Sequence, residues 1–206
     1  MSVKISDMRN GPRLTKFAAV FIAVIESLLL GANGQSPSPA NGSAKASDSM
    51  LPRKVVVPIS TVNRFFPEVT GEASTGRNLT AVSDTKATRS VIYANSDSSK
   101  KVTITVDQYP AASDASSAYQ EAVAKSKTVP GFKPVPAENL GQNAFVGTVT
   151  QEGETHIGLG ALHGTLIVGA TLAGYSFTPE NTAKLISLTR EEERAAKAAM
   201  DRNRQK

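Results

Sequence analysis

Apolar and polar residues alternate at period two through Lys101-Val-Thr-Ile-Thr-Val-Asp-Gln-Tyr109, with Val102, Ile104 and Val106 on one side and Thr103, Thr105 and Asp107 on the other. This is the pattern of a half-buried antiparallel strand. Ala87 to Ala94 reads as its partner across the turn Asn95-Ser-Asp-Ser-Ser99. The period then changes: Ala115, Ala118, Tyr119, Ala122 and Val123 recur at three and four residues, which predicts a helix over Ser113 to Lys127 capped by Ser113 or Asp114. Its apolar face is narrow and mostly alanine, so it must pack close to the sheet. A connector with three prolines, Thr128 to Pro136, follows. Upstream, Ser60 to Phe66 predicts a short helix capped by Ser60, stopped before Pro67 and buried through Val62, Phe65 and Phe66.

Three further strands are expected over Ala144 to Thr150, Thr155 to Leu162 and Thr165 to Leu172, joined by the two-residue turns Glu152-Gly153 and His163-Gly164. Thr178-Pro179-Glu180 then combines a capping hydroxyl, proline at the first helical position and an acid in the first turn. It opens a helix through Leu185, Ile186 and Leu188 toward Met200, and the charged run from Arg190 to Lys206 reads as an exposed helical extension.

Those turns pair Gln151 with Glu154 and Leu162 with Thr165, which sets Gly147, Gly158 and Gly169 side by side. One face of the meander then carries a hydrophobic core of Ala144, Val146, Ile157, Leu159, Ala161, Leu166, Val168 and Ala170. The glycine face carries Phe145, Gly160 and Ile167 on one side of the row and Val149, His156 and Thr171 on the other, with Glu154 further out. Glycine inside a strand marks a bend or a close approach of another group. Two readings stay open. A helix or the coiling of a twisted sheet accounts for the row structurally; alternatively Gly147, Gly158, Gly160 and Gly169 floor a groove edged by Phe145, Val149, Glu154, His156, Ile167 and Thr171, suited to a small or elongated apolar ligand.

The N-terminal residues change the picture by adding an address. Lys4, Arg9, Arg13 and Lys16 precede a continuously apolar stretch, Phe17 to Ile25, and Ala32-Asn33-Gly34 supplies small residues before Gln35. This predicts a signal peptide over residues 1–34. Glu26 interrupts the apolar run, which is also shorter than the roughly 20 residues that cross a bilayer, so cleavage is expected rather than an anchor, the alternative being an uncleaved N-terminal segment. A Ser/Pro/Ala-rich linker is expected over residues 35–54, a domain over 55–189 and the extension over 190–206. The expected location is extracytoplasmic, periplasmic or secreted.

The chain has no cysteine, which excludes disulfide staples, thiolate metal sites and a lipid-anchor cysteine. Removing the leader takes four basic and two acidic residues and lowers the formal charge from +5 to +3. With no tryptophan and few aromatics, that balance argues against nucleic acid as a partner. Gly158-x-Gly160-x-x-x-Gly164 lies inside a hairpin and opens no helix, so it is no dinucleotide motif. Glu154 and His156 share a face, yet two ligands are too few for a metal, and no catalytic residue or cofactor is nominated. Asn41-Gly-Ser43 and Asn78-Leu-Thr80 match the glycosylation pattern, which has meaning only in a eukaryotic secretory pathway.

The order of elements and the segments Val129-Pro-Gly131 and Asn139-Leu-Gly-Gln-Asn-Ala-Phe145 resemble small extracytoplasmic domains of bacterial envelope lipoproteins and kinase sensor domains, some with a PsbP-like α/β/α fold. The resemblance spans Val55 to Leu188 and carries over no functional residue. The expected fold is α+β: one domain with an antiparallel sheet of about five strands covered by helices. The expected function is an exported, non-catalytic envelope protein binding a small or apolar ligand or an envelope component. The alternatives are a secreted hydrolase and an assembly partner acting through the C-terminal helix.

Overall fold

A computed structural model describes residues 51–73, 79–82, 86–135, 143–151 and 154–204. The leader, both glycosylation asparagines and the turn Glu152-Gly153 lie outside the described residues. The elements are a 3₁₀ turn (Arg53–Val55), α1 (Ile59–Phe65), β1 (Gly71–Glu72), β2 (Leu79–Val82), β3 (Ala87–Ala94), β4 (Lys101–Gln108), α2 (Ala112–Thr128), β5 (Lys133–Val135), β6 (Ala144–Gln151), β7 (Glu154–His163), β8 (Leu166–Ala173) and α3 (Pro179–Arg204).

All strand pairs are antiparallel, in the order β1-β3-β4-β8-β7-β6-β5, with β2 also on β3. The five strands expected from the sequence form the centre of an eight-stranded sheet. The additional β1, β2 and β5 are too short for a periodicity signal, and β5 contains Pro134, which an edge strand tolerates.

The core lies on one face. Val91, Val102, Ile104, Val106, Val146, Ile157, Leu159 and Val168 join Leu185, Leu188, Ala196 and Ala199 of α3, together with Val62 and Phe66, in one buried cluster. Each large aliphatic side chain buried there contributes about 1.5–3 kcal/mol. Thr178 accepts the Asn181 amide at 3.1 Å, the capping role its position predicts. At the other helices the expected caps differ. Pro58 and Ala111 occupy the N-cap positions, so Ser60, Ser113 and Asp114 lie within the first turns.

Two boundaries also move. Leu51 is fully buried and its carbonyl accepts from Arg89 Nη2, so the folded body includes residues assigned to the linker. Beyond Arg190, α3 stays regular to Arg204 and buries Glu192, Ala196 and Ala199, so this run is helical but not wholly exposed. Those residues continue the helical spacing of Leu185, Leu188 and Thr189, which carries them onto the sheet.

Register is as expected between β6 and β7, where Gln151 pairs with Glu154 and Gly147 with Gly158. Between β7 and β8 it is not. Gly164 and Thr165 form the turn and His163 pairs with Leu166. Gly164 takes φ +60°, placing glycine first in the turn, as a type II′ hairpin requires. The expected His163-Gly164 turn is thereby displaced and His163 becomes strand. Because partners shift by two residues, every side chain keeps its predicted face.

Candidate functional site

The face opposite the core reads across the strands in rows. One runs Ser90, Thr105, Gly169, Gly160, Phe145; the next runs Ile92, Thr103, Thr171, Gly158, Gly147; a third begins Thr88, Asp107, Ile167, Leu162. The three-glycine row expected from the sequence is therefore divided, with Gly169 beside Gly160 and Thr171 beside Gly158. All the residues predicted for the groove still fall on this face. Phe145 and Ile167 are half-buried, whereas Gly147, Val149, His156, Gly158, Gly160, Gly169 and Thr171 are buried. Glu154 holds the end position of β7 opposite Gln151.

α2 packs over β7 and β8 on this side, burying Ala115, Tyr119, Ala122 and Ser126. Tyr119 meets the Phe145 ring edge-on, with centroids 5.9 Å apart. Phe145 in turn lies where a Cβ on Gly160 would be, and the Phe132 ring lies where a Cβ on Gly147 would be. The close approach predicted by the glycines is thus made by two phenylalanines and a helix. Val129, Val149 and Phe132 form a small apolar cluster of their own beside them.

Toward β3 and β4 the same face is polar. Thr88, Ser90, Thr103, Thr105, Asp107 and Thr171 are all buried, and the Ser90 and Thr105 hydroxyls lie 3.0 Å apart. The sequence marks this stripe in Thr103, Thr105 and Asp107, but as the solvent side of a half-buried strand; β4 is instead buried on both faces between its end residues. Strand periodicity assigns residues to faces and is silent about what covers each face.

The stripe ends in a charged centre. Asp107 Oδ1 accepts the Thr88 hydroxyl at 2.5 Å and Oδ2 lies 3.5 Å from Lys86 Nζ, with both charged side chains 7% exposed. Lys86 Nζ also sits 5.8 Å from the centre of the Tyr109 ring. Burial pushes the Asp107 carboxyl up and the Lys86 ammonium down, in each case against the pull of the partner, so for both groups loss of water outweighs the ion pair. Burial, with the negative charges of Asp107 and Glu121 behind it, raises the Tyr109 phenol.

The two histidines fall on opposite faces of β7, since residues 156 and 163 differ by an odd number. Among the described residues no group of three histidine, aspartate or glutamate side chains is placed to hold a metal, and no helix is long and apolar enough to cross a membrane.

No protein-family model matches the chain, and no curated protein matches it in sequence. Among solved structures, the extracellular domain of PknH from Mycobacterium tuberculosis superposes with a TM-score of 0.50 at 13% identity, over 78% of this chain and 100% of that domain. LpqN, involved in cell envelope biogenesis of Mycobacterium tuberculosis, gives a TM-score of 0.30 at 13% identity, over 58% of this chain and 84% of LpqN. The PknH likeness extends to fold and agrees, at that level, with the resemblance to extracytoplasmic domains.

Proposed function

We propose that this protein is an exported, non-catalytic envelope domain that binds a polar, hydroxyl-bearing ligand against the α2-covered face of its sheet. The observation that carries the reading is the set of five hydroxyl side chains, Thr88, Ser90, Thr103, Thr105 and Thr171, standing with Asp107 on adjacent strands outside the main hydrophobic cluster. A face needed only for packing gains more from apolar side chains than from hydroxyls, whose burial requires a hydrogen bond for each. Side chains that both donate and accept suit a sugar-like or polyol-like partner. The apolar ligand suggested by the glycine pattern has less to recommend it, because Phe132 and Phe145 already lie over Gly147 and Gly160.

Export rests on the leader and linker of the sequence, and the fold shared with an extracellular domain is in keeping with it. In this reading Lys86 and Asp107 fix the polar end of the site and perform no chemistry.

The test is native mass spectrometry of the exported protein after gentle purification, followed by titration with soluble envelope glycans. A retained or saturably bound polar species, weakened at least tenfold by Thr105→Val and Thr171→Val, supports the reading. An empty protein that binds no glycan, or binding indifferent to both substitutions, contradicts it.

A further inference from the structure

On the core side, the segment Leu51–Val57 enters the fold with no strand partner for Val57 among the described residues. Its backbone is instead held by side chains. Glu192 Oε2 of α3 accepts the Val57 N–H at 2.8 Å, the Tyr93 hydroxyl of β3 donates to the Val57 carbonyl at 2.6 Å, and Arg89 Nη2 donates to the Leu51 carbonyl at 3.3 Å. Leu51 and Val55 are fully buried beneath this arrangement. Glu192 is itself fully buried, and its second oxygen, Oε1, has no hydrogen-bond partner among the described residues.

A carboxylate with one bonded oxygen, far from water, is costly unless a cation faces it. Among the described side chains, none that compensates is placed beside it by the elements packed on α3. Lys54 of the 3₁₀ turn is exposed, and Arg64 of α1 lies 3.8 Å from Glu191. β8 contains no ionisable side chain, and the charge of His163 on β7 acts on Glu193. From the sheet, Tyr93 faces Glu192, with Glu72 of β1 behind it, and Arg89 is directed at Leu51. Arg190, Glu191, Glu193 and Arg194 flank Glu192 on α3 and are intermediate or exposed.

We propose that Glu192 is the catch of a proton-dependent latch: with its carboxyl neutral, the segment Leu51–Val57 is held against α3, and once the carboxyl ionises the segment lifts away reversibly while the sheet and α3 stay folded. Burial raises the Glu192 carboxyl to about 8, against the lowering pull of the Val57 N–H, whereas in the lifted segment the group returns toward its ordinary value of 4.5. The sign follows. The closed form holds a proton that the open form releases between those values, so opening grows by about tenfold per pH unit from roughly pH 5 to 8 and levels off above. The seven residues 51–57 overlap the end of the expected linker and lead into α1. Their release lengthens the tether by up to about 24 Å at the extended rise of roughly 3.3–3.6 Å per residue.

Hydrogen exchange of the Val57 amide in the full chain, corrected for intrinsic rates and followed from pH 5 to 9, tests this. The opening constant is expected to rise more than 100-fold to pH 8 and then flatten, with β4 and β8 amides still protected, and the rise is expected to vanish in Glu192→Gln. A flat wild-type profile, the same slope in both proteins, or equal opening of β4 and β8 at every pH overturns the latch. Should Glu192→Gln not fold, the carboxyl titration of Glu192 by NMR in the wild type decides: a midpoint near 8 that coincides with the end of the rise supports it, and one near 4.5 overturns it.

Discussion

Gly174 and Gly164 separate two demands that a glycine can answer. Both take positive φ, but a Cβ at Gly174 would overlap the Ser99 carbonyl while one at Gly164 would meet open space. Gly164→Ala is therefore expected to cost about 1 kcal/mol from backbone strain alone, and Gly174→Ala more than about 3 kcal/mol. Gly160→Ala, which must displace a Phe145 ring wedged against Tyr119, is expected between them at about 1–3 kcal/mol. Urea denaturation of the three variants checks the order, and a Gly174→Ala protein as stable as Gly164→Ala would contradict the packing described. At the charged centre, Asp107→Asn strands a buried ammonium and is expected to cost about 3–5 kcal/mol. The double variant Lys86→Met/Asp107→Leu is expected to recover part of that loss, because neither charge then remains buried; the same urea series measures the coupling.

α2 and α3 differ in what attaches them to the sheet. α3 places Leu185, Leu188 and two alanines in the main cluster, whereas α2 buries Ala115, Tyr119, Ala122 and Ser126 over β7 and β8, with Tyr119 against one phenylalanine ring. The strap Leu51–Val57 is a third case: Leu51, Val55, Val56 and Val57 belong to the main cluster, and two side-chain hydrogen bonds hold the Val57 backbone. Tyr93→Phe is expected to raise Val57 opening by a factor that does not vary between pH 5 and 9, about fivefold for a net loss near 1 kcal/mol. A pH-dependent factor would show that the phenol and Glu192 act as one group. Much of this was legible from periodicity. Val102, Ile104 and Val106 gave β4 its core face, and the alanine spacing gave α2 its inner side. The β7–β8 register was not legible, since a turn with glycine in either central position satisfies the same residues and only the backbone twist chooses. Nor was the burial of Thr103, Thr105 and Asp107, because periodicity assigns side chains to a face without saying whether that face is covered. Glu192 was hidden among charges that read as solvated, although its spacing from Leu185, Leu188 and Thr189 places it on the buried face.

At the scale of the molecule, the sheet has one face that carries the main hydrophobic cluster and one that carries hydroxyls, glycines and a buried ion pair. The predicted groove residues all lie on the second face, and the ligand proposed above is assigned to its polar half, on β3 and β4. With no disulfide available and the main hydrophobic cluster on the α3 face, the α2 layer is expected to open without unfolding the rest. Native-state hydrogen exchange across the full chain measures this division. The account predicts that α2 amides exchange through an opening at least about 2 kcal/mol easier than that of α3, with β4 and β8 still protected. Exchange of α2 and α3 in a single step, at the free energy of global unfolding, would contradict it.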